Sequence, residues 1–319
     1  MAEGIPEVAL VSGQKMPVVG FGTASNPMPP DQKVTIFLDA IEAGYRHFDT
    51  AMAYGTEQLL GRAVEEAIRR GLIKTRDELF ITSKLWCTYA HHDLVLPAIK
   101  QTLSNLGLEY LDLYLIHWPI RLEHKEISFC FDKADILPFE MGPTWEAMEE
   151  CQRLGLTKSI GVSNFTCKKL TQLLSLAQIP PAVNQVELNI GWQQKKLTTF
   201  CKEKGIVVCA WSPLGAYGAG WGSNMVMENP VVGQIAQARG KTKAQVALRW
   251  IHEQGVVIIV KSFNKERMRE NLKIFDWELS EEDRRLICEI PQKRGSAENI
   301  FISSDGPFKT SKDLWDGEI

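Results

Sequence analysis

Eight short apolar runs alternate with helical patterns along this sequence, and that alternation leaves few architectures open. The runs fall at 18–21, 46–48, 79–82, 111–116, 159–162, 183–186, 206–210 and 256–260 and are rich in Val and Ile. Several helical segments end at a glycine just ahead of the next run, namely Gly44, Gly155, Gly205 and Gly255. Glycine readily takes the left-handed conformation that closes a helix, so the order reads as repeated βαβ units with parallel strands. The first helix shows the pattern, with Asp31 as its expected N-cap and Val34, Phe37, Leu38 and Ile41 on one apolar face.

A chain of 319 residues has room for two domains, yet α/β barrels often run to about 250 residues or more as one unit. Eight strand–helix units favour closure over an open doubly wound sheet, and no Gly-x-Gly-x-x-Gly follows any of the runs. The expectation is a (β/α)8 TIM barrel filling residues 1–319 as one domain, in which any nucleotide is held without that fingerprint. Ahead of it, 8–11 and 16–18 flank Ser12-Gly13 like the arms of a β-hairpin, placed to plug the barrel's N-terminal end. Three stretches, 119–142, 214–229 and 291–319, read as long loops.

The formal net charge is −3, with Lys and Arg scattered among Asp and Glu, which excludes the electrostatic footprint of a nucleic-acid-binding protein. The opening MAEGIPEVAL lacks the form of a signal peptide, and apolar runs such as 256–260 are far too short to span a bilayer. The seven cysteines form no Cys-x-x-Cys pair, and their odd number argues against a disulfide framework. They read as reduced thiols, with Cys209 as core filling. No metal site is expected, and a soluble, cytosolic, monomeric enzyme acting on a small molecule fits the whole.

In such barrels the active site lies where strands end and βα loops begin. Three runs deliver polar groups there: Asp49 with Tyr54 in the loop beyond it, Lys84, and His117. Singly, three of these have plainer explanations: Asp49 as a helix cap, Tyr54 as a packing residue with a solvated hydroxyl, His117 as a satisfied core histidine. Lys84 resists that treatment. It closes an apolar run and precedes Leu85-Trp86, so its ammonium would be desolvated and would need a carboxylate, for which Asp49 is the natural partner. A tyrosine beside that lysine should have its pKa drawn down from about 10 toward the operating pH. A neutral His117 would donate a hydrogen bond to an oxygen on which negative charge develops. Together these roles describe acid-assisted reduction of a carbonyl group.

Gly44-Tyr45-Arg46-His47-Phe48-Asp49-Thr50-Ala51 with Tyr54 and Glu57, then Lys84-Leu85-Trp86, His117-Trp118-Pro119 and Gly161-Val162-Ser163-Asn164-Phe165, occur in this order. In these motifs, from about residue 8 to the C-terminal tail, the chain resembles the aldo-keto reductase superfamily. The resemblance implies a catalytic tetrad of Asp49, Tyr54, Lys84 and His117, with NADPH extended across the barrel mouth. Gly22, Thr23 and Asp49 would lie near the nicotinamide ribose, and Ser163, Asn164 and Gln185 would take the carboxamide. Trp211 falls where the family stacks an aromatic ring, commonly tyrosine, on the nicotinamide. The exchange keeps the π face and loses the phenol, and a core aromatic ending a strand is the alternative. Ser212 and Leu214 continue the implied cofactor path. Residues 261–271 are similar to the family's adenosine-phosphate segment, which implies Lys261, Ser262, Phe263, Asn264, Arg267, Glu270 and Asn271 as contacts. Lys261 and Arg267 would clamp a 2′-phosphate; a solvated basic helix start is the plainer reading.

The run 79–87, Met148-Glu149-Glu150-Cys151-Gln152, 273–279 and the tail Gly306-Pro307-Phe308-Lys309-Thr310 with Leu314-Trp315-Asp316 narrow the resemblance. They are similar to a plant branch of the family that includes methylecgonone reductase, codeinone reductase, deoxymugineic acid synthase and chalcone reductase. Ala24 replaces a tryptophan found in many animal members, which opens the pocket to a bulky ketone. Trp86, Trp118, Phe129 and Trp221, beside His117, would line an apolar pocket. An alkaloid-type ketone is the expected substrate, with a phytosiderophore-type keto or imine acid, or a polyketide, as alternatives. Two readings from other classes stay open: a nucleotide-sensing subunit without turnover, and a barrel hydrolase or isomerase using Asp49 and Glu57 as paired carboxylates.

Overall fold

The structure, a computed structural model, describes residues 4–219, 222–295 and 298–318. The chain opens with the hairpin of β1 (Glu7–Ala9) and β2 (Lys15–Pro17), antiparallel with Val8 opposite Met16. Then follow β3 (Val19–Gly22), α1 (Pro30–Ala43), β4 (His47–Asp49), α2 (Glu57–Arg69), β5 (Phe80–Leu85), α3 (His92–Leu106) and β6 (Leu111–Ile116). A small ribbon of β7 (Arg121–Leu122) and β8 (Ile136–Leu137) leads to α4 (Met141–Arg153), β9 (Thr157–Ser163), α5 (Cys167–Leu176) and β10 (Val183–Glu187). The chain ends with α6 (Lys195–Glu203), β11 (Val207–Trp211), α7 (Pro230–Arg239), α8 (Lys243–Glu253), β12 (Val257–Val260), α9 (Lys265–Asn271), α10 (Glu281–Cys288) and α11 (Ser311–Leu314). Strands β3, β4, β5, β6, β9, β10, β11 and β12 form a closed parallel barrel in that order, with β12 pairing back to β3. The (β/α)8 expectation holds.

Side chains alternate across each strand, so two sets of apolar residues are buried on opposite sides of one sheet. Leu113, Leu115, Val183, Cys209, Val257 and Ile259 pack inside the barrel, where Leu10 and Met16 of the hairpin join them as a plug. The opposite faces meet the helices, and each Leu, Ile, Val or Phe buried there contributes roughly 1.5–3 kcal/mol. Gly20 on β3 is required by space: a Cβ there would stand 2.8 Å from His47 Nδ1. Gly44 closes α1 at φ 109°, with its N–H on the last carbonyls, as the helix–glycine–strand order implied.

Several local expectations are corrected. Asp31 does not cap α1; Pro29 holds the N-cap position without a side-chain bond and Pro30 starts the helix, where its missing N–H costs nothing. Asp31 lies in the first turn and pairs with Arg62 at 2.9 Å. Lys84 sits within β5 rather than beyond it. The stretches 119–142 and 291–319 are not plain loops, since they contain the β7–β8 ribbon, two short 3-10 turns and α11. All seven cysteines are free thiols, and Cys209 is core filling. No helix among the described residues is long and apolar enough to cross a membrane.

Candidate active site

The period-two alternation that fills the barrel also aims its polar residues. His47 and Asp49 share the inward face of β4, as do Thr82 and Lys84 on β5, so Asp49 stands one layer above His47, whose Nε2 lies 3.2 Å from Thr82 Oγ1. Lys84 is completely buried. Its Nζ donates to Asp49 Oδ1 at 2.6 Å and to the Thr50 carbonyl at 2.9 Å, and lies 3.5 Å from the Tyr54 hydroxyl. Asp49 Oδ2 accepts from Gln185 Nε2 at 2.7 Å. Tyr54 ends the 3-10 turn Met52–Tyr54, and its hydroxyl stands 3.3 Å from His117 Nε2. Lys84 and His117 therefore meet at the Tyr54 hydroxyl, with Asp49 behind Lys84.

Electrostatics assign the protons. Burial opposes the Lys84 ammonium most strongly, but Asp49 and then Tyr54 outweigh it together and hold its pKa above the ordinary lysine value. Burial pushes His117 well below the usual histidine range and the Lys84 charge adds to that, so the ring is neutral at physiological pH. The expected lowering of Tyr54 is corrected: burial raises the phenol above its ordinary value, and the opposing pull of Lys84 does not overcome it. Tyr54 thus keeps its proton at neutral pH. Lys84 acts by stabilising the phenolate left after that proton departs.

Glu57 has no place in this cluster. Ser83, on the outward face of β5, donates to its Oε1 at 2.7 Å, and Asn105 of α3 donates to its Oε2 at 2.8 Å. It is a buried tie between the barrel wall and its helices. The paired-carboxylate reading of Asp49 and Glu57 therefore fails on geometry.

The implied nicotinamide subsite is continuous with the tetrad. Ser163 Oγ donates to the Gln185 carbonyl at 2.7 Å, and Asn164 Nδ2 donates to the His117 carbonyl at 3.0 Å. Trp211 ends β11, and its indole N–H donates to Asn164 Oδ1 at 3.1 Å. Thr23 lies beside Asp49, its N–H on that residue's carbonyl at 2.9 Å, while its hydroxyl joins a buried chain through Thr56 to Thr50. A Cβ on Gly22 would come within 3.3 Å of the Ile259 side chain. Ser212 holds φ 52° next to Trp211, and Leu214 packs half-buried on the core.

At the end of β12 the basic residues divide into two groups. Lys265 is committed to Asp39 at 3.0 Å and Glu42 at 2.6 Å. Lys261 and Arg267 are exposed and form no ion pair among the described residues; Lys261 Nζ donates to the Ala24 carbonyl at 2.8 Å. Asn264 caps α9, accepting from the Arg267 N–H, and Ser262 Oγ bonds within the same turn. Phe263 is exposed beneath Lys261. Two cations without acid partners at a helix start fit the phosphate of NADPH. Glu270 offers its backbone carbonyl to Gln245, and Asn271 is buried, bonded toward Tyr45.

The aromatic residues gather as a wall rather than an open pocket. Trp86 is 0% exposed, edge-on to His117 at 5.3 Å between ring centres, and Phe129, 51% exposed, covers it at 4.9 Å. Trp118 packs against Phe301 and Trp315 of the tail at 5.1 and 6.1 Å. Trp86 therefore backs His117 instead of facing solvent. Ala24 is half-buried beside Thr23. Trp221 lies outside the described residues. Thr50, Thr56, Ser83 and Asn105 were not anticipated from the sequence; inward–outward alternation along β5 would have separated Ser83 from Lys84.

A family model described as the Aldo/keto reductase family matches residues 18–291. Protein REDOX 2 of Catharanthus roseus is 58% identical over 317 residues, covering 99% of this chain and 98% of that relative. Rhazimal reductase 2 of Alstonia scholaris is 57% identical over 317 residues, with coverage of 99% and 98%. Deoxymugineic acid synthase 1 of Oryza sativa subsp. japonica is 57% identical over 308 residues, with 97% of each chain covered. Among solved structures, a Bombyx mori aldo-keto reductase in complex with NADP superposes with a TM-score of 0.84 at 35% identity, over 96% of this chain and 99% of that one. With Asp49, Lys84, Tyr54 and His117 linked in one hydrogen-bonded cluster and this likeness running the length of the barrel, the chain belongs to the aldo/keto reductase family and is an NADP-dependent oxidoreductase.

Proposed function

We propose that this chain reduces the carbonyl group of a bulky, ring-containing plant metabolite, with an alkaloid-type ketone of the methylecgonone kind as the leading class. Bound NADPH supplies the hydride to the carbonyl carbon. Tyr54 donates the proton to the carbonyl oxygen, and the adjoining Lys84 ammonium, 3.5 Å away, compensates the phenolate that forms. Asp49, held by Gln185, keeps Lys84 charged and in place. Neutral His117 offers a ring N–H to the same oxygen as its charge grows, a contribution that strengthens in a site shielded from water. Lys261 and Arg267 take the 2′-phosphate, and Trp211 gives the nicotinamide ring a face to stack on.

One observation favours an apolar ring system over a keto or imine acid. The segment 118–137 leaves Trp118, Phe129 and Phe131 partly or fully exposed, while its lysine and arginine side chains are occupied. Arg121 pairs with Glu140, Lys125 with Glu123 and Asp135, and Lys133 donates to the Ile302 carbonyl. A polycarboxylate would have to compete for those cations, whereas a ring buries apolar surface at once. Relatives named for rhazimal and for deoxymugineic acid make both classes worth assaying.

The experiment is an NADPH-oxidation assay with cyclic ketones, small aldehydes and keto acids, on the parent and on Ala24→Trp. The indole should fill space beside Thr23 and exclude bulky ketones first, leaving small aldehydes reduced. Equal loss of both classes removes residue 24 from the pocket wall. Preference of the parent for keto acids overturns the ring-ketone reading. Oxidation with no carbonyl tested, despite tight NADPH binding, favours a nucleotide-sensing role.

A further inference from the structure

We propose that Trp211 is a positioning residue whose indole N–H fixes the side-chain amide of Asn164, and through it the carboxamide end of the cofactor site. The proposal rests on the reading above that Ser163, Asn164 and Gln185 receive the nicotinamide carboxamide.

An aromatic ring that only filled the core or only stacked would need no hydrogen-bond partner at this point. Trp211 has one: its Nε1 lies 3.1 Å from Asn164 Oδ1. Asn164 Nδ2 donates to the His117 carbonyl at 3.0 Å and lies 3.1 Å from Ser163 Oγ. The amide is therefore specified on both sides. Turning it over would set its N–H groups against the indole N–H and its oxygen against the His117 carbonyl, losing the bonds on both edges. Held as it is, Asn164 Oδ1 keeps one lone pair as an acceptor for an amide N–H.

The backbone makes the same point independently. Asn164 follows the last residue of β9 and sits at φ 65°, and Ser212 follows Trp211 at φ 52°. Two strand ends thus turn through the left-handed region at non-glycine residues, a conformation that persists only where the surroundings determine it. The Asn164 N–H on the Gln185 carbonyl at 2.9 Å and the indole bond are among those determinants. Stacking alone would be served by phenylalanine. A donor at the ring edge is what tryptophan adds, and it links the stacking surface to Asn164, whose amide is tied to the backbone of His117.

The test is calorimetric titration with NADP+ and with adenosine 2′,5′-bisphosphate, which lacks the nicotinamide, on the parent, Trp211→Phe, Asn164→Ala and the double variant. Phenylalanine keeps the π face and removes the N–H. Trp211→Phe should weaken NADP+ about two- to tenfold, the range of one neutral hydrogen bond, and leave the bisphosphate unchanged, which also reports an intact fold. In the Asn164→Ala background the same substitution should add little, because its effect travels through Asn164. Unchanged NADP+ affinity in Trp211→Phe, equal weakening of both nucleotides, or full additivity with Asn164→Ala each overturns the proposal. If the parent itself binds NADP+ no more tightly than the bisphosphate, it is the underlying cofactor pose that fails.

Discussion

Lys84 Nζ stands 2.6 Å from Asp49 Oδ1, with neither side chain more than 5% exposed. Removing one partner of such a pair strands a buried charge and costs roughly 3–5 kcal/mol, whereas replacing both with apolar groups of similar size is often neutral. Asp49→Leu should therefore lower the denaturant midpoint sharply, and the double variant Asp49→Leu with Lys84→Met should recover much of that loss. Neither should regain activity, because the charge that stabilises the Tyr54 phenolate is absent or misplaced. A double variant as unstable as the single one would show that the pair itself holds the barrel mouth together.

Tyr54→Phe should bind NADPH as the parent does and lose nearly all carbonyl reduction. General acid catalysis contributes about 10²–10⁴-fold, and no other hydroxyl lies between Lys84 and His117 in the hydrogen-bond network of the described residues. Single-turnover rates with saturating NADPH measure the effect directly. Turnover within about threefold of the parent, far below that range, removes Tyr54 as the proton source.

The barrel was legible because short apolar runs alternate with helical patterns eight times, with a glycine ahead of four of the runs, so an error at any one boundary does not change the count. The four clustered residues were legible because Asp49 and His117 stand at strand ends and Lys84 is the one charged residue of the buried strand β5. Two kinds of information were hidden. The direction of the Tyr54 shift depends on how completely the fold buries the phenol, which local sequence does not encode. The partner of Glu57 depends on Ser83 and Asn105, 26 and 48 residues away, and a pattern that places two carboxylates eight positions apart in sequence is blind to the sheet between them. The Trp211–Asn164 bond joins the ends of β11 and β9, which flank β10, and only the closed barrel brings them within reach.

Two buried histidines make stability fall in mild acid. Burial holds His47 down to about 4, with Asp49 pulling the other way, and holds His117 well below its ordinary value. Above about pH 6.5 both rings are neutral in the folded and unfolded chain, and neither carries a titration penalty. Below that pH the unfolded chain takes up protons that the folded chain refuses, so stability is lost as pH falls toward the folded pKa values. For one such histidine the loss between about pH 7.5 and about pH 5.5 is roughly 1.4 kcal/mol. Denaturant midpoints of the parent and His117→Gln at both pH values should show a pH-dependent loss smaller by about that amount in the variant. An identical loss in both would mean that His117 takes up a proton as readily in the folded chain as in the unfolded one.

Cofactor choice should reside in Arg267. Its guanidinium is exposed at the start of α9 and has no carboxylate partner among the described residues, while Lys265 beside it is committed to Asp39 and Glu42. Lys261 and Arg267, without acid partners among the described residues, can answer a 2′-phosphate, and NADH carries none. Arg267→Ala should weaken NADPH binding and leave NADH binding nearly unchanged. A charge-assisted hydrogen bond contributes about 1.5–3 kcal/mol, or roughly a tenfold to hundredfold loss of affinity at about 1.4 kcal/mol per decade. The turnover rate at saturating NADPH should move much less, since Arg267 joins none of the hydrogen bonds among Asp49, Tyr54, Lys84 and His117. Lys265→Ala is the matched control: it removes a neighbouring cation that already has acid partners, so it should leave the NADPH-to-NADH ratio near that of the parent. Fluorescence titration of the three proteins with both nucleotides reads the ratio. Equal weakening of NADPH and NADH in Arg267→Ala would move that side chain to the shared pyrophosphate or to the support of α9, and a larger change in Lys265→Ala would reassign the 2′-phosphate to it.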